Sequence, residues 1–220
     1  MKNAYESFPL GLKLSHAALL RNLDGFVRLA EINTRPDADL ADFVGLYVEF
    51  LDVHHEGEDG YIFPALRRHT AGRSTDAAHL DQWTNEHRAI YAAGKALSAI
   101  AANIRSATPS SLGELRRLSL ELRDTLVPHL ASEEALLTPT HLPEMISAQE
   151  LEATQQEIAK KERSRALRMA GFLVHSLEPT EQRALLGETP WLFRKLLLKR
   201  VAERKMARFR PFVYERSVAL

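Results

Sequence analysis

His54-His55-Glu56-Gly57-Glu58-Asp59-Gly60-Tyr61-Ile62-Phe63-Pro64 has a counterpart later in the chain, His129-Leu130-Ala131-Ser132-Glu133-Glu134-Ala135-Leu136-Leu137-Thr138-Pro139. In both stretches a Glu stands four residues after the first His, and a second acid follows that Glu directly. Both then place an apolar residue four positions and a Pro six positions beyond the Glu. Residues four apart share one face of an α-helix, so each His–Glu pair can converge on one metal ion.

Two single histidines precede the repeated motif at similar distances. His16 lies 38 residues before His54, and His87 lies 42 residues before His129. The resulting order, His, His-x-x-x-Glu, His, His-x-x-x-Glu, indicates one helical hairpin used twice. Two such hairpins packed face to face would bring four imidazoles and two carboxylates into one bundle core, the arrangement of a two-metal carboxylate site.

The composition favours a helical protein without disulfides. The 220 residues are 45% hydrophobic, enough for a substantial core, and include only 10 Gly and 10 Pro. Long segments of Ala, Leu, Glu and Arg favour helices, and we expect no sheet. The absence of Cys excludes a disulfide framework, thiolate metal ligands and a cysteine nucleophile. No apolar run is long enough for a membrane span or a signal peptide, so we expect a cytoplasmic protein.

Turn and cap signals divide the first part of the chain into four helices. We expect these helices over about 10–32, 37–68, 75–104 and 111–137. Pro64 should bend the second helix, because it cannot donate a hydrogen bond to Gly60. A capping box of Ser111 and Glu114 should open the fourth helix. The predicted fold class is therefore all-α, an up-down-up-down four-helix bundle with a C-terminal helical extension.

Charge divides the chain near residue 146. Residues 1–146 contain 14 basic and 20 acidic residues, a net charge of −6, whereas residues 147–220 contain 15 basic and 9 acidic residues, a net charge of +6. We therefore predict two domains, a bundle with a di-metal site over 1–146 and an extension over 147–220 that packs on it. In the extension we expect helices over about 147–177, from a capping box of Ser147 and Glu150, over 179–186, and over 191–210, where Pro211 stops the last helix.

The ligand series resembles that of the hemerythrin-like (HHE cation-binding) family. The series consists of His16, His54, Glu58, His87, His129 and Glu133, and the sequence Glu58-Asp59-Gly60-Tyr61-Ile62-Phe63-Pro64 is similar to the family's usual wording after its second His. The resemblance covers roughly 10–143. It implies a four-helix bundle that holds two iron ions with an oxo or hydroxo bridge. The four histidines would then be terminal ligands, and the two glutamates would bridge the irons.

One departure from the oxygen-carrying marine-worm hemerythrins bears on function. Those proteins have a second His one turn from the first on the third helix, whereas Trp83 and Tyr91 flank His87 here. With four histidines, at least one iron would keep a position for O2, peroxide or nitric oxide. Redox reactivity or sensing is then favoured over reversible oxygen storage. Zinc or manganese could occupy the same ligands, because affinity alone does not select iron.

We expect the remaining polar and aromatic residues near the motifs not to ligate metal. We expect the other histidines to lie at the surface or beside the site without ligating: His55, His69, His79, His141 and His175. Asp59 and Glu134 are expected to face solvent or neighbouring helices, with orientation of a ligand His as the alternative. Tyr47, Tyr61 and Trp83 are expected to pack in the core. The alternative is direct ligation or a hydrogen bond to a bound ligand for the two tyrosines, and shielding of the site for Trp83.

Three classes of function remain open from the sequence. The first is a di-iron redox enzyme or ligand binder that acts on O2, peroxide or nitric oxide, with a possible electron donor. The second is an iron, oxygen or redox sensor in which the extension responds to the metal. The third is a metal-free helical interaction protein. We expect the basic helix 191–210 to dock on the acidic bundle. Contact with an anionic membrane or nucleic acid is the alternative, but no nucleic-acid binding is predicted because no DNA-binding motif accompanies the helix. The chain could form a homo-oligomer.

Overall fold

The computed structural model describes residues 3–31, 38–70, 73–105, 110–187 and 206–212. Within these ranges every regular element is helical and none is a strand, so the predicted all-α class is confirmed. The α-helices are α1 (Ala4–Glu31), α2 (Ala38–Gly57), α3 (Phe63–Thr70), α4 (Ser74–Arg105), α5 (Ser110–Leu136), α6 (Leu142–Met145), α7 (Ala148–Lys161), α8 (Ala166–Ser176) and α9 (Pro179–Leu186). A π-helical segment covers Glu58–Ile62, and 3-10 helices cover Glu162–Ser164 and Ala207–Phe212.

The long helices pack around two large apolar clusters, and a small third cluster of Leu14, Ala18 and Leu177 joins α1 to the extension. Helix α1 packs against α5, α2 against α4, and α4 against α5. The first cluster includes Leu19, Leu51, Ile90 and Leu130, one from each long helix. The second cluster includes Leu12 of α1, Ile62 of the π segment, Trp83 of α4 and Leu137 just past α5. Each long helix thus runs from one cluster to the other, and the ligand series falls between them as a polar layer.

The first helix begins earlier than predicted. We expected it from about Leu10, but α1 begins at Ala4. The side-chain oxygen of Asn3 accepts a hydrogen bond from the Glu6 N–H at 3.0 Å, and the Glu6 carboxylate accepts one from the Asn3 N–H at 3.2 Å. This reciprocal capping box satisfies backbone donors at the helix start. Helix α5 similarly begins at Ser110, so Ser111 lies in the first turn and not at the predicted cap position.

The second predicted helix is divided where its motif ends. The backbone N–H of Phe63 donates to the carbonyl of Glu58, a spacing of five residues that defines a π turn. Pro64 follows directly and has no N–H to continue an ordinary α-helical ladder from Gly60. Sequence correctly predicted a distortion at Pro64, but the distortion is a wider turn through Glu58–Ile62 instead of a bend. Such π turns occur often at functional sites.

The extension packs on the bundle through α7 and α8. The Ser147 hydroxyl accepts a hydrogen bond from the Glu150 N–H at 3.2 Å, which confirms half of the predicted capping box. The Glu150 carboxylate instead accepts from Arg68 at 2.6 Å and also contacts His69. The predicted single helix to about residue 177 is interrupted by the 3-10 helix Glu162–Ser164. Helix α9 has the predicted bounds.

Part of the C-terminal segment lies in the same core. Most of the predicted basic helix 191–210 lies outside the described residues. Phe209 and Phe212 are buried, with ring centroids 5.2 and 5.9 Å from that of Phe43. Arg208 Nη1 lies 3.0 Å from a carboxylate oxygen of Asp39. Residues 206–212 therefore contact the bundle, and docking of the predicted helix as a whole stays a prediction. Pro211 lies inside a 3-10 helix instead of ending a helix.

The boundary between the two predicted domains, near residue 146, stays a prediction. Met169 and Phe172 of α8 belong to the first apolar cluster together with residues of α1 and α2. The extension and the bundle therefore share buried surface. Among the described helices, none combines the length and apolar character that a membrane span requires.

Candidate metal centre

All six residues of the predicted series meet in the polar layer. His16 comes from α1, His54 from α2, Glu58 from the start of the π segment, His87 from α4, and His129 and Glu133 from α5. Five of them are buried, and the His54 side chain is 11% exposed. The duplicated pattern of the sequence therefore brings its polar residues to one place in the bundle interior.

The converging atoms form two groups, each spanning no more than 4.8 Å. The first, here the two-histidine group, contains His16, His54, Glu58 and Glu133. The second, the three-histidine group, contains His55, His87 and His129. Within each group, the nitrogen and carboxylate oxygen atoms lie close enough together to surround one metal ion. The arrangement therefore has room for two metal ions.

Each buried glutamate extends from one group to the other. Glu58 Oε1 lies 3.4 Å from His54 Nε2, and its Oε2 lies 3.7 Å from His87 Nε2. Glu133 Oε2 lies 3.4 Å from His16 Nε2, and its Oε1 lies 3.3 Å from His129 Nε2. Both carboxylates therefore point one oxygen toward each histidine group, as bridging ligands do.

His55 overturns one expectation from the sequence. We expected it at the surface or beside the site, but its side chain is 0% exposed and completes the three-histidine group. Its ring centroid lies 4.3 Å from that of His87 and 5.6 Å from that of His129. The sequence did contain a signal, because His55 stands three residues before Glu58, and residues three apart also share a helix face. Five histidines therefore converge here, one more than the predicted series contains.

Three partly exposed carboxylates hydrogen-bond to histidines of the two groups and orient their rings. The pairs are His16 Nδ1 with Glu134 at 2.9 Å, His87 Nδ1 with Asp59 at 2.8 Å, and His129 Nδ1 with Glu86 at 2.8 Å. In each pair the ring N–H donates to the carboxylate, which turns Nε2 inward. Asp59 and Glu134 thus fulfil the alternative role considered for them. Glu86 was missed, although it stands directly before His87 in the sequence.

Removing the Glu86 carboxylate should weaken metal binding. We expect Glu86→Ala to lower metal affinity about 10- to 100-fold, because His129 loses the acceptor that fixes its ring. Competition with a chelator of known affinity would measure this change. Glu152→Ala removes an exposed carboxylate on α7 and should leave the affinity unchanged. Equal metal affinity in both variants would contradict this role of Glu86.

The inward atoms lack ordinary hydrogen-bond partners. Among the described residues, none hydrogen-bonds to His16 Nε2, to His54 Nε2, to either His55 ring nitrogen, or to the carboxylate oxygens of Glu58 and Glu133. Leaving so many polar atoms buried and unpaired is costly. His87 Nε2 and His129 Nε2 face each other at 3.0 Å, while both Nδ1 atoms donate elsewhere. A proton or a cation is needed between these two nitrogen lone pairs, so the residues fit a metal centre.

Burial shifts the protonation of these groups in opposite directions. Burial raises the pKa of Glu58 and of Glu133 well above the ordinary value, and neighbouring acids raise the pKa of each further. Burial lowers the pKa of His54 and of His55 well below 6.5, and it lowers the pKa of His129 to about 4 despite Glu86. His54, His55 and His129 are thus neutral at physiological pH, the form that binds metal. Two cations would offset the cost of burying charged glutamates.

Aromatic side chains close the three-histidine group from the second apolar cluster. The Phe63 ring stacks on His87 with centroids 5.4 Å apart, and Trp83 packs behind it and donates from Nε1 to Ser132 Oγ at 2.9 Å. Trp83 is buried in the core as expected. Tyr47 is likewise core, with its ring 5.2 Å from Phe26. Tyr61 is only half-buried, under the Lys161 amine at 5.4 Å, so it lies outside the core.

The long helices enclose converging histidines and carboxylates between two apolar clusters. This arrangement is typical of helical bundles that bind metal through histidine and carboxylate side chains. Comparison with protein families identifies the family within this class. The family model of the hemerythrin HHE cation-binding domain matches residues 11–140, and the chain belongs to this family. This confirms the resemblance read from the ligand series. Searches of curated proteins and of solved structures gave no match.

Proposed function

We propose that this protein is a non-haem di-iron protein that binds or reacts with O2, peroxide or nitric oxide. Its four long helices, α1, α2 with the π segment, α4 and α5, would form the up-down-up-down bundle of the family. The six residues predicted from the sequence, together with His55, would hold the two irons. An oxo or hydroxo bridge would complete the centre. Iron supplies the redox chemistry when bound, and the chain supplies the cavity, the ligands and the charge.

One observation carries this proposal. Glu58 and Glu133 each direct one oxygen at the two-histidine group and the other at the three-histidine group. A single metal ion would need only one oxygen from each carboxylate, whereas a pair of ions uses both. The two anionic bridges would also reduce the repulsion between adjacent cations. Imidazole and carboxylate donors suit iron, and they also accept zinc or manganese.

The unequal number of histidines supports ligand binding at one metal. The two-histidine group offers one imidazole fewer than the three-histidine group. Both groups share the same two carboxylates, so the first metal would have one protein ligand fewer. That metal would keep the position for a small ligand. The sequence led to the same inference from four histidines, and it holds with five because the fifth joins the other group.

Metal analysis combined with absorption spectroscopy tests the proposal. Protein isolated from iron-rich medium should carry close to two irons per chain and absorb in the near ultraviolet from charge transfer to iron. Adding peroxide or nitric oxide should change that spectrum. Stoichiometric zinc after growth in iron-rich medium would argue against the di-iron proposal. The Glu133→Gln protein provides the matched spectrum without a complete centre.

Chelation should destabilise the protein strongly. A ligand present at about 1,000 times its Kd stabilises the folded state by about 4 kcal/mol, and for a chain of this size that corresponds to roughly 10 °C in Tm. We therefore expect Tm to fall by roughly this amount when a chelator removes the metal, and to recover when iron is restored. Differential scanning calorimetry would measure both changes. An unchanged Tm would instead support the metal-free interaction protein.

A sensor without turnover is the second candidate, and one contact favours it. Helix α7 of the extension packs on the π segment that begins at Glu58. Beside it, the Ile158 side chain lies 3.7 Å from the position that a Cβ on Gly57 would occupy. A metal-dependent shift of Glu58 would therefore reach the extension. Limited proteolysis with and without iron tests this, and equal cleavage of the extension in both states would remove the basis for a sensor.

The cellular context remains part of the proposal. A redox cycle would require an electron donor, and the small ligand would be O2, peroxide or nitric oxide. Cytoplasmic location, a homo-oligomer and the absence of nucleic-acid binding stay predictions from the sequence.

A further inference from the structure

A cavity of about 370 Å³ lies beside the two-histidine group. His54 and Glu58 are among the residues that line it. Helices α1 and α2 supply one wall, which includes Leu12 and Phe50. The extension supplies another part of the lining, with contributions from α7, α8 and α9 through Ile158, Leu173 and Leu185. The cavity therefore exists only because the extension packs on the bundle.

The volume and lining of the cavity indicate its occupant. A water molecule takes about 30 Å³ of liquid volume, and O2 or nitric oxide is of similar size, so the cavity is roughly ten times larger than such a ligand needs. Sites for organic molecules have volumes of about 300–1,000 Å³ and are mostly apolar, with a few polar groups that fix orientation. Apart from His54 and Glu58, the polar side chains lining the cavity are Ser7, Ser15 and Gln155.

We propose that this cavity binds an apolar organic molecule, of the size of a medium-chain alcohol, with one end at His54 and Glu58. The proposal rests on the proposed function only in placing a metal beside that end. The cavity itself requires the packed extension and no metal. The bound molecule would lie next to the metal that has fewer protein ligands.

Gly11 provides a way to fill the cavity without disturbing the fold. It lines the cavity from α1, and a Cβ built on it would meet no heavy atom within 4 Å. Gly11→Leu should therefore extend into open space and occupy part of the volume. The substitution also suits a helix, since Leu has higher helix propensity than Gly. Gly113 is the matched control, because it is helical and exposed and a Cβ there also meets nothing within 4 Å.

Isothermal titration calorimetry of the full-length, metal-loaded protein with 1-octanol tests the proposal. We expect saturable binding to the unmodified protein and to Gly113→Leu. Gly11→Leu should bind at least about tenfold more weakly, because its side chain takes the volume that the alkyl chain needs. Equal affinity in all three proteins would place binding elsewhere and overturn the proposal. Absence of binding to the unmodified protein would overturn it as well.

Two further measurements distinguish the cavity proposal from the di-iron proposal and from a passage for gas. The iron content of the same samples is measured. If the protein binds octanol but the analysis finds no iron, the di-iron proposal is rejected and the cavity proposal stands. Iron without octanol binding would reject the cavity proposal alone. Nitric oxide association is followed by stopped flow. Slower association in Gly11→Leu, together with no octanol binding to any protein, would make the cavity a passage for gas and overturn the organic-ligand proposal.

Discussion

Glu133→Gln should release metal from both histidine groups while the helices remain folded. Glutamine has nearly the same shape, but it removes the negative charge and leaves an amide nitrogen that cannot ligate. Glu133 is 0% exposed, and its two oxygens lie 3.3 Å from His129 Nε2 and 3.4 Å from His16 Nε2. Losing one such buried anionic contact costs several kcal/mol, which corresponds to about a 100-fold or greater loss of affinity. Elemental analysis after gel filtration would measure the change.

The fold of this variant must be checked independently. Far-ultraviolet circular dichroism should match that of the unmodified protein at low temperature. Glu152→Gln, the same change at an exposed site on α7, should keep full metal content. If Glu133→Gln kept full metal content, Glu133 would not be a ligand and the assignment of the centre would be wrong.

His55→Asn should remove metal from one of the two groups. His55 contributes to the three-histidine group and not to the two-histidine group, so the loss should be unequal. We expect the iron content to fall from close to two per chain to close to one. The remaining iron should have a changed absorption spectrum, because a bridged pair no longer forms. Asparagine is smaller and polar, so some loss of Tm is expected as well.

Metal content and spectrum, rather than Tm, therefore decide the role of His55. His69→Asn serves as the control, because the His69 side chain is 44% exposed and pairs with Glu150 on α7. Full iron content in His55→Asn would make His55 a buried neighbour of the centre instead of a ligand. The control should retain both irons and their spectrum.

The sequence predicted the six-residue series because its chemistry is local and periodic. His54 with Glu58 and His129 with Glu133 each occupy one helix face, and the duplication made chance an unsatisfactory explanation. His55 was missed because only the four-residue spacing was considered. Adjacent residues on a helix point about 100° apart, since 3.6 residues complete a turn. They cannot serve one ion together, but they can serve two ions on either side of a bridging carboxylate.

Other features depend on contacts that a sequence pattern does not specify. The orienting role of Glu86 requires that α4 and α5 bring its carboxylate to His129, 43 residues away. Pro64 can be accommodated either by a bend in the helix or by a π turn before it, and the sequence pattern does not decide between the two. The early start of α1 has a signal in the sequence, because Asn3 and Glu6 have capping-box spacing. The wall that the extension contributes to the cavity follows from tertiary packing alone.

The polar layer between the two apolar clusters also bears on the cooperativity of unfolding. Apolar contacts couple the parts of a domain, and here the polar layer of imidazoles and carboxylates separates the two larger apolar clusters, while a smaller cluster of Leu14, Ala18 and Leu177 continues along α1 beside the extension. When cations bind in the polar layer, the two ends of the molecule should unfold as a single unit. Without bound cations, each end should unfold locally on its own. The backbone amides of the two ends would then show two different levels of protection from hydrogen exchange. Iron supply would then determine whether the chain behaves as one folding unit or as two, and hence how readily proteases degrade it.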